Sequence, residues 1–115
     1  MSDSNDRLLV VYDAYSKAYD RRLQDWSEAT STEQAKSISD HVDALETLYL
    51  GAAKQALDAT GQAIEDAFAA AKEAQKAIDD AYDSAKNIAD KIRLVGSIVG
   101  KVGDLITEAK GNASA

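Results

Sequence analysis

An apolar row that recurs every three or four residues constrains this chain more than any other feature. From Ala71 to Ala109 every position on that row is apolar, and the charged residues of the segment fall between its members. Its members are Ala71, Ala74, Ile78, Ala81, Ala85, Ile88, Ile92, Val95, Val99, Val102, Ile106 and Ala109. This is the repeat of an α-helix with one continuous hydrophobic face, so another helix must cover that face.

The composition favours helices in the rest of the chain as well. The 115 residues contain no proline and few glycines, and alanine is abundant. Proline is the strongest helix breaker and alanine the best helix former. We therefore predict an all-α fold, with one helical domain over 1–115 and flexible ends at 1–5 and 111–115.

Two helix starts can be placed from capping residues. Ser4, Asn5 or Asp6 can cap a first helix over about 6–29, because their side-chain oxygens accept from the free amides of the first turn. Ser31 followed by Gln34 matches the capping box, which begins a second helix near residue 33. The short connection makes the two helices antiparallel. We predict an antiparallel helical bundle or coiled coil, with the short first helix folded on the second.

The length of the second helix depends on Gly61. The apolar row passes this glycine without losing phase, which favours one helix over about 33–109, on the order of 115 Å long. As a C-cap, Gly61 would instead break the helix near 58–62 and give a three-helix bundle with a C-terminal extension. We favour the continuous helix, whose uncovered face would require a second copy of the chain or another protein.

The first helix carries a row of aromatic residues, Tyr12, Tyr15, Tyr19 and Trp26. They are either core residues whose polar atoms reach the bundle edge, or an exposed strip that anchors a partner. Arg22 interrupts the row and either stacks on an aromatic ring or lays its stem over apolar surface.

Beyond Asp90 the apolar face broadens, and this segment is the second candidate contact region. Gly96 and Gly100 have the spacing that allows close helix approach. The segment either packs against the first helix or a second subunit, or lies on a bilayer over residues 92–106. Its candidate contact residues are Ile92, Val95, Val99, Val102 and Ile106.

Charge and missing motifs exclude several classes of function. The formal net charge of −7 disfavours nucleic acid and anionic lipid. The absence of cysteine removes thiol chemistry. His41 lies in no metal-binding motif. We place both acidic pairs on the solvated face, and interpret 65–66 as solvated charges and 79–80 as surface salt bridges with Lys76. We predict no enzymatic activity, no catalytic residue, no metal, no cofactor and no small-molecule substrate.

These features predict a non-enzymatic helical interaction protein of the adaptor, secretion-associated or immunity type. It self-associates or binds a protein partner through its apolar seam. The alternatives are an amphipathic membrane-associated protein that uses 92–106 and a closed monomeric bundle. Without a signal-peptide pattern or a run of about 20 apolar residues, a cytoplasmic location is expected, and export without a signal stays open.

Overall fold

The computed structural model describes residues 1–110, which form four α-helices and contain no strand. Helix α1 spans Ser4–Glu28, α2 Thr32–Ala52, α3 Gln62–Asp83 and α4 Ile88–Lys110. The described part measures 46 × 24 × 18 Å along its principal axes. The predicted all-α helical bundle is confirmed.

The bundle consists of two helical hairpins. Helix α1 packs mainly on α2, and α3 packs mainly on α4. Helix α4 also contacts α1 and α2, whereas α1 touches α3 lightly. All four helices and one linker contribute to a single core, whose most deeply buried apolar members include Val11, Leu45, Leu57, Ile64, Ala71, Ile98, Val102, Leu105 and Ala109.

The helix starts follow from capping side chains. Helix α1 is capped by Asp3 rather than by Ser4, Asn5 or Asp6, and Asp6 completes the capping box by accepting from the Asp3 amide. Ser4 and Asn5 are therefore already helical, and the predicted lead-in is shorter than expected. The predicted Ser31 cap is confirmed, because its hydroxyl accepts from the Gln34 amide across 3.1 Å. The predicted flexible end at 111–115 lies outside the described residues.

The continuous helix over 33–109 is wrong, and the alternative of a break around Gly61 is confirmed. The break is longer than 58–62, because α2 ends at Ala52. Gly61 is the N-cap of α3 rather than a C-cap, with φ of 119°, a conformation that side-chain-bearing residues rarely adopt. Leu57 is 2% exposed and anchors this linker in the core, and the Ala59 amide donates to the Ala109 carbonyl across 3.0 Å.

A second break, between α3 and α4, was not predicted. Helix α3 ends in a Schellman motif, in which Lys86 N–H bonds the Ala81 carbonyl and Ala85 takes a left-handed conformation with φ of 54°. Asn87 Oδ1 then accepts from the Asp90 amide across 2.8 Å and caps α4. Helix α4 consequently folds back on α3 instead of extending beyond the bundle. The first half of the apolar row of residues 71–109 lies on α3 and is thus covered largely by α4, which carries the second half.

Candidate interaction surface

The side of α1 that enters the core differs from the predicted aromatic face. Its buried residues are Arg7, Val11, Ala14, Ala18 and Asp25. Two of the five are charged and two are alanines, so hydrophobic periodicity did not mark this side of the helix. The bulky aromatic side chains lie beside the core and partly in solvent.

Five large apolar side chains form an exposed row on α1, which we call the α1 strip: Leu9, Tyr12, Tyr19, Leu23 and Trp26. Their exposed fractions are 63%, 46%, 42%, 62% and 38%, in that order. With Ser16 the row follows a heptad spacing over a length of about 26 Å. Leu9 and Leu23 were not among the predicted contact residues, although this spacing was visible in the sequence.

Tyrosines on α1 and α2 support the strip from behind. The ring centroids of Tyr12 and Tyr49 lie 5.1 Å apart. Half-buried Tyr15 stacks on Tyr49 with an interplanar angle of 11°, and its hydroxyl donates to Glu46 Oε2 across 3.1 Å. Partial desolvation, together with this hydrogen bond, raises the Tyr15 pKa. Tyr15 therefore connects α1 to α2 directly behind the strip.

Arg22 stacks on the strip, as one of its two predicted placements required. Its guanidinium carbon lies 3.5 Å from the centroid of the Tyr19 ring, and 6.0 Å from that of Trp26. Its Nη1 also donates to the Tyr19 carbonyl across 2.6 Å. This cation–π contact orders one edge of the exposed row.

The second predicted contact segment lies mostly inside the bundle. Val95, Val102 and Ile106 are 8%, 0% and 6% exposed, while Ile92 and Val99 are half-buried. The structure therefore does not bring this set together with the aromatic residues of α1 on one surface. None of the helices in residues 1–110 has the length and apolar character needed to cross a membrane.

Glu65 and Asp79 join the two hairpins, so the interpretation of Glu65 as a solvated charge and of Asp79 as a surface partner of Lys76 is wrong. Asp79 accepts from Lys17 across 2.8 Å and from Arg21 across 3.1 Å. Partial burial raises the pKa of Asp79, but the hydrogen bonds from Lys17, Gln75 and Arg21 outweigh it and leave that pKa lowered. The adjacent residues of each pair, Asp66 and Asp80, are exposed as predicted.

Arg7 is the most completely bonded charged residue of this junction. It is 2% exposed, and its five N–H groups all donate: to the Ser2 hydroxyl and carbonyl, to the Leu57 and Ala59 carbonyls, and to Glu65. The Ser2 amide and hydroxyl donate to Glu65 as well. The hydrogen bond from the Ser2 amide is the main reason why the pKa of Glu65 is lowered. This network ties the start of the chain to the α2–α3 linker and to α3.

A second junction surrounds Tyr82 at the other end of α1. The Tyr82 hydroxyl donates to the buried Asp25. Two cations contact the Tyr82 ring, with the Arg21 guanidinium carbon at 4.1 Å and Lys91 Nζ at 4.6 Å from the centroid. Lys91 also donates to Glu28 Oε1 across 3.0 Å, which lowers the pKa of Glu28. These contacts cross-link α1, α3 and α4 rather than line an open cleft.

His41 is packed rather than presented to solvent. Its imidazole lies over α4 at Gly96, where a Cβ would come within 3.2 Å of the ring, so the glycine makes room for it. Burial lowers the His41 pKa. Over residues 1–110, His, Asp and Glu side chains form no group of three or more that could hold a metal ion.

Comparison with protein-family models, with curated proteins and with solved structures finds no match to this chain.

Proposed function

We propose that this chain is a non-enzymatic interaction protein that binds another protein through the α1 strip. The observation that carries the proposal is the row of five large apolar side chains, each 38–63% exposed, on one face of a helix whose opposite face forms part of the core. Tyrosine and tryptophan are the residues that most often dominate binding energy at protein interfaces.

The support beneath the strip favours binding over accidental exposure. Tyr15 and Tyr49 stack behind it, and Arg22 is already ordered on Tyr19. A surface whose side chains are held before binding loses less conformational entropy when a partner docks.

The interior supports a non-catalytic role. The two small cavities beside Arg21 and beside Asp25 and His41 have volumes of about 10 Å³ each. This is the room of one water molecule, so neither admits a substrate. The larger space, about 550 Å³ between α1 and α3, is an open groove that includes Leu9 and Tyr12 of the α1 strip. The charged groups around them are engaged in helix-to-helix contacts.

Photo-cross-linking tests the proposal. A photoreactive amino acid replaces Leu23 in the α1 strip or, as a control, Glu73 on the exposed side of α3, in cells that make the protein. We expect a discrete cross-linked protein from position 23 and none from position 73. The identified protein should bind the purified chain, with at least about tenfold weaker binding to Leu23→Asp.

Two results would contradict this function. One is equal binding of the identified protein to the wild type and to Leu23→Asp while circular dichroism shows both folded. The other is cross-linking from position 73 alone. Sedimentation of the purified wild type and of Leu23→Asp tests self-association. A wild-type dimer that becomes a monomer in Leu23→Asp would mean that the strip binds a second copy of the chain.

A further inference from the structure

One edge of the α1 strip carries a regular row of carboxylates. Asp6, Asp13 and Asp20 follow one another at intervals of seven residues, beside the apolar heptad. Asp6 and Asp20 are exposed, and the Asp13 side chain is 49% exposed although it contacts Lys17. A heptad interval keeps all three on the same edge along the length of the strip.

The other edge of the strip is acidic as well, and α2 supplies it. Glu46 bonds Tyr15, which places this carboxylate next to the strip. Asp43 lies one helical turn before Glu46 and is exposed. The strip thus has a row of aspartates along one edge, and Asp43 and Glu46 together with Arg22 along the other.

The basic side chains of the α1–α2 hairpin leave these carboxylates in excess. Residues 1–52 contain ten acidic and five basic residues, which gives −5 of the total −7. Three of the five basic residues contact α3, namely Arg7, Lys17 and Arg21, and of these only Lys17 also pairs with a member of the aspartate row, Asp13, across 3.2 Å. Of the other two, Arg22 stacks on Tyr19 and Lys36 pairs with Asp40 within its own helix.

A second copy of the chain does not complement this pattern. In an antiparallel pair of α1 helices the aspartate row of one copy faces the same row of the other, which is repulsive. In a parallel pair it faces the row of Leu8, Tyr15 and Arg22, where one position in three is basic. Lys72 and Lys76 of α3 line one groove together with Leu9, Tyr12 and Asp13, so they offset part of the negative charge at that end of the aspartate row.

From this charge and shape we infer that the partner presents a basic amphipathic α-helix of about five turns along the α1 strip. The inference rests on the function proposed above and specifies its partner. Large apolar side chains at heptad spacing would pack on the strip between Leu9 and Trp26. Flanking lysine or arginine side chains would meet the Asp6–Asp13–Asp20 row on one edge and Asp43 and Glu46 on the other.

Binding of two synthetic peptides to the full chain tests the inference. Both are 18-residue helices with leucine at heptad spacing and no aromatic residue, one with lysine and one with glutamate at the flanking positions. Trp26, the one tryptophan of the sequence, lies in the strip, so its fluorescence should shift to shorter wavelength when a peptide covers it. We expect the lysine peptide to bind at least about tenfold more tightly than the glutamate peptide, and less tightly as salt is raised.

Matched variants test whether the preference for the lysine peptide comes from the carboxylates beside the strip. Asp13→Asn, Asp20→Asn and Asp43→Asn together should weaken the lysine peptide about tenfold, from three exposed charge pairs. Neutralising three exposed carboxylates of α3 gives the same net charge and should change affinity less than about twofold; these are Glu73→Gln, Asp80→Asn and Asp83→Asn. Leu23→Asn should abolish the fluorescence shift.

Each contrary result has a distinct meaning. Equal binding of both peptides, lost in Leu23→Asn, would leave the strip as a docking surface and overturn the basic partner. Equal weakening by the two triple variants would show general attraction to an acidic protein and also overturn it. Absence of binding by the lysine peptide at about millimolar concentration would also overturn the basic partner. The proposed function is tested separately, by the cross-linking experiment.

Discussion

The Tyr82 hydroxyl donates a hydrogen bond to Asp25 Oδ2 across 2.6 Å and joins α3 to α1 inside the bundle. Asp25 is 6% exposed, and burial raises its pKa despite this bond and the nearby charge of Lys91. Burial and the Asp25 carboxylate also raise the pKa of Tyr82. The fold therefore holds a carboxyl group at a place that favours its neutral form, which makes the stability of the bundle depend on pH.

We expect Asp25→Asn to gain stability relative to the wild type as pH rises. Because the folded pKa of Asp25 is above its unfolded value, its contribution is fully present below the unfolded pKa and is lost as pH rises through the folded pKa. Asparagine does not titrate and can still accept from Tyr82. Urea unfolding between about pH 3.5 and pH 7 measures the difference, and a difference that stays constant or moves the other way contradicts the assignment.

Asp79→Asn should show the opposite trend in the same measurement. The hydrogen bonds from Lys17, Gln75 and Arg21 hold the folded pKa of Asp79 below its unfolded value. Its contribution is therefore present above the unfolded pKa and lost as pH falls through the folded one. The variant should be weaker at neutral pH, and its deficit should shrink only as pH falls below 3.8, so this series extends down to about pH 2. Parallel behaviour of the two variants would show that these pKa directions do not govern the pH dependence.

Arg7→Met should destabilise the bundle by about 3 kcal/mol, because it leaves the buried Leu57 carbonyl and its neighbours without donors. Arg93→Met is the matched control, since the Arg93 side chain is 69% exposed and should change stability by less than about 0.5 kcal/mol. Chemical denaturation compares the two. Similar losses for both variants would mean that the Arg7 network contributes little beyond surface charge.

Two substitutions test the backbone at the helix breaks. Ala85→Gly should stabilise the fold by about 1 kcal/mol, because glycine adopts the left-handed conformation of Ala85 without the steric cost. Gly61→Ala should destabilise it by about 1–3 kcal/mol at φ of 119°. Thermal unfolding should give melting temperatures that move in opposite directions. Shifts in the same direction would contradict the turn conformations.

A pair of leucine truncations tests which surface of the bundle is exposed. Leu45 is 0% exposed, so Leu45→Ala should cost about 2–5 kcal/mol. Leu23 is 62% exposed, so Leu23→Ala should change stability by less than about 0.5 kcal/mol. Equilibrium unfolding of the purified chain measures both. A large loss from Leu23→Ala would place that side chain in a core or in an interface that the folded chain requires.

The sequence predicted the fold class and part of the helix layout. The all-α fold and the Ser31 cap are present in the structure, whereas the break around Gly61 was only the less favoured alternative to a continuous helix. The break at Ala85 was missed because an alanine occupies the left-handed position where glycine is the usual signal. An apolar row cannot reveal such a reversal, since the residues on both sides of the turn enter the same core.

The α1 strip was half predicted. Tyr12, Tyr19 and Trp26 were among the predicted contact residues. The side of α1 that faces the core contains Arg7 and Asp25, two charged residues that hydrophobic periodicity assigns to the surface. Their burial rests on partners 50 or more positions away in the chain, which periodicity within one helix does not register. The contact role of Ile92, Val95, Val99, Val102 and Ile106 stays a prediction, and the burial of Val95, Val102 and Ile106 makes it dependent on opening the bundle.

The Arg7 network also bears on the order in which the chain assembles. Its hydrogen bonds to Leu57 and Glu65 connect positions 50 and 58 residues apart, whereas each hairpin is built from neighbouring segments. Contacts between distant positions form after the local ones have shortened the loop between them. We therefore expect the two hairpins to form first. The hydrogen bonds from Arg7 to Leu57 and Glu65 should form last, when the amino-terminal turn docks on a bundle that is already assembled.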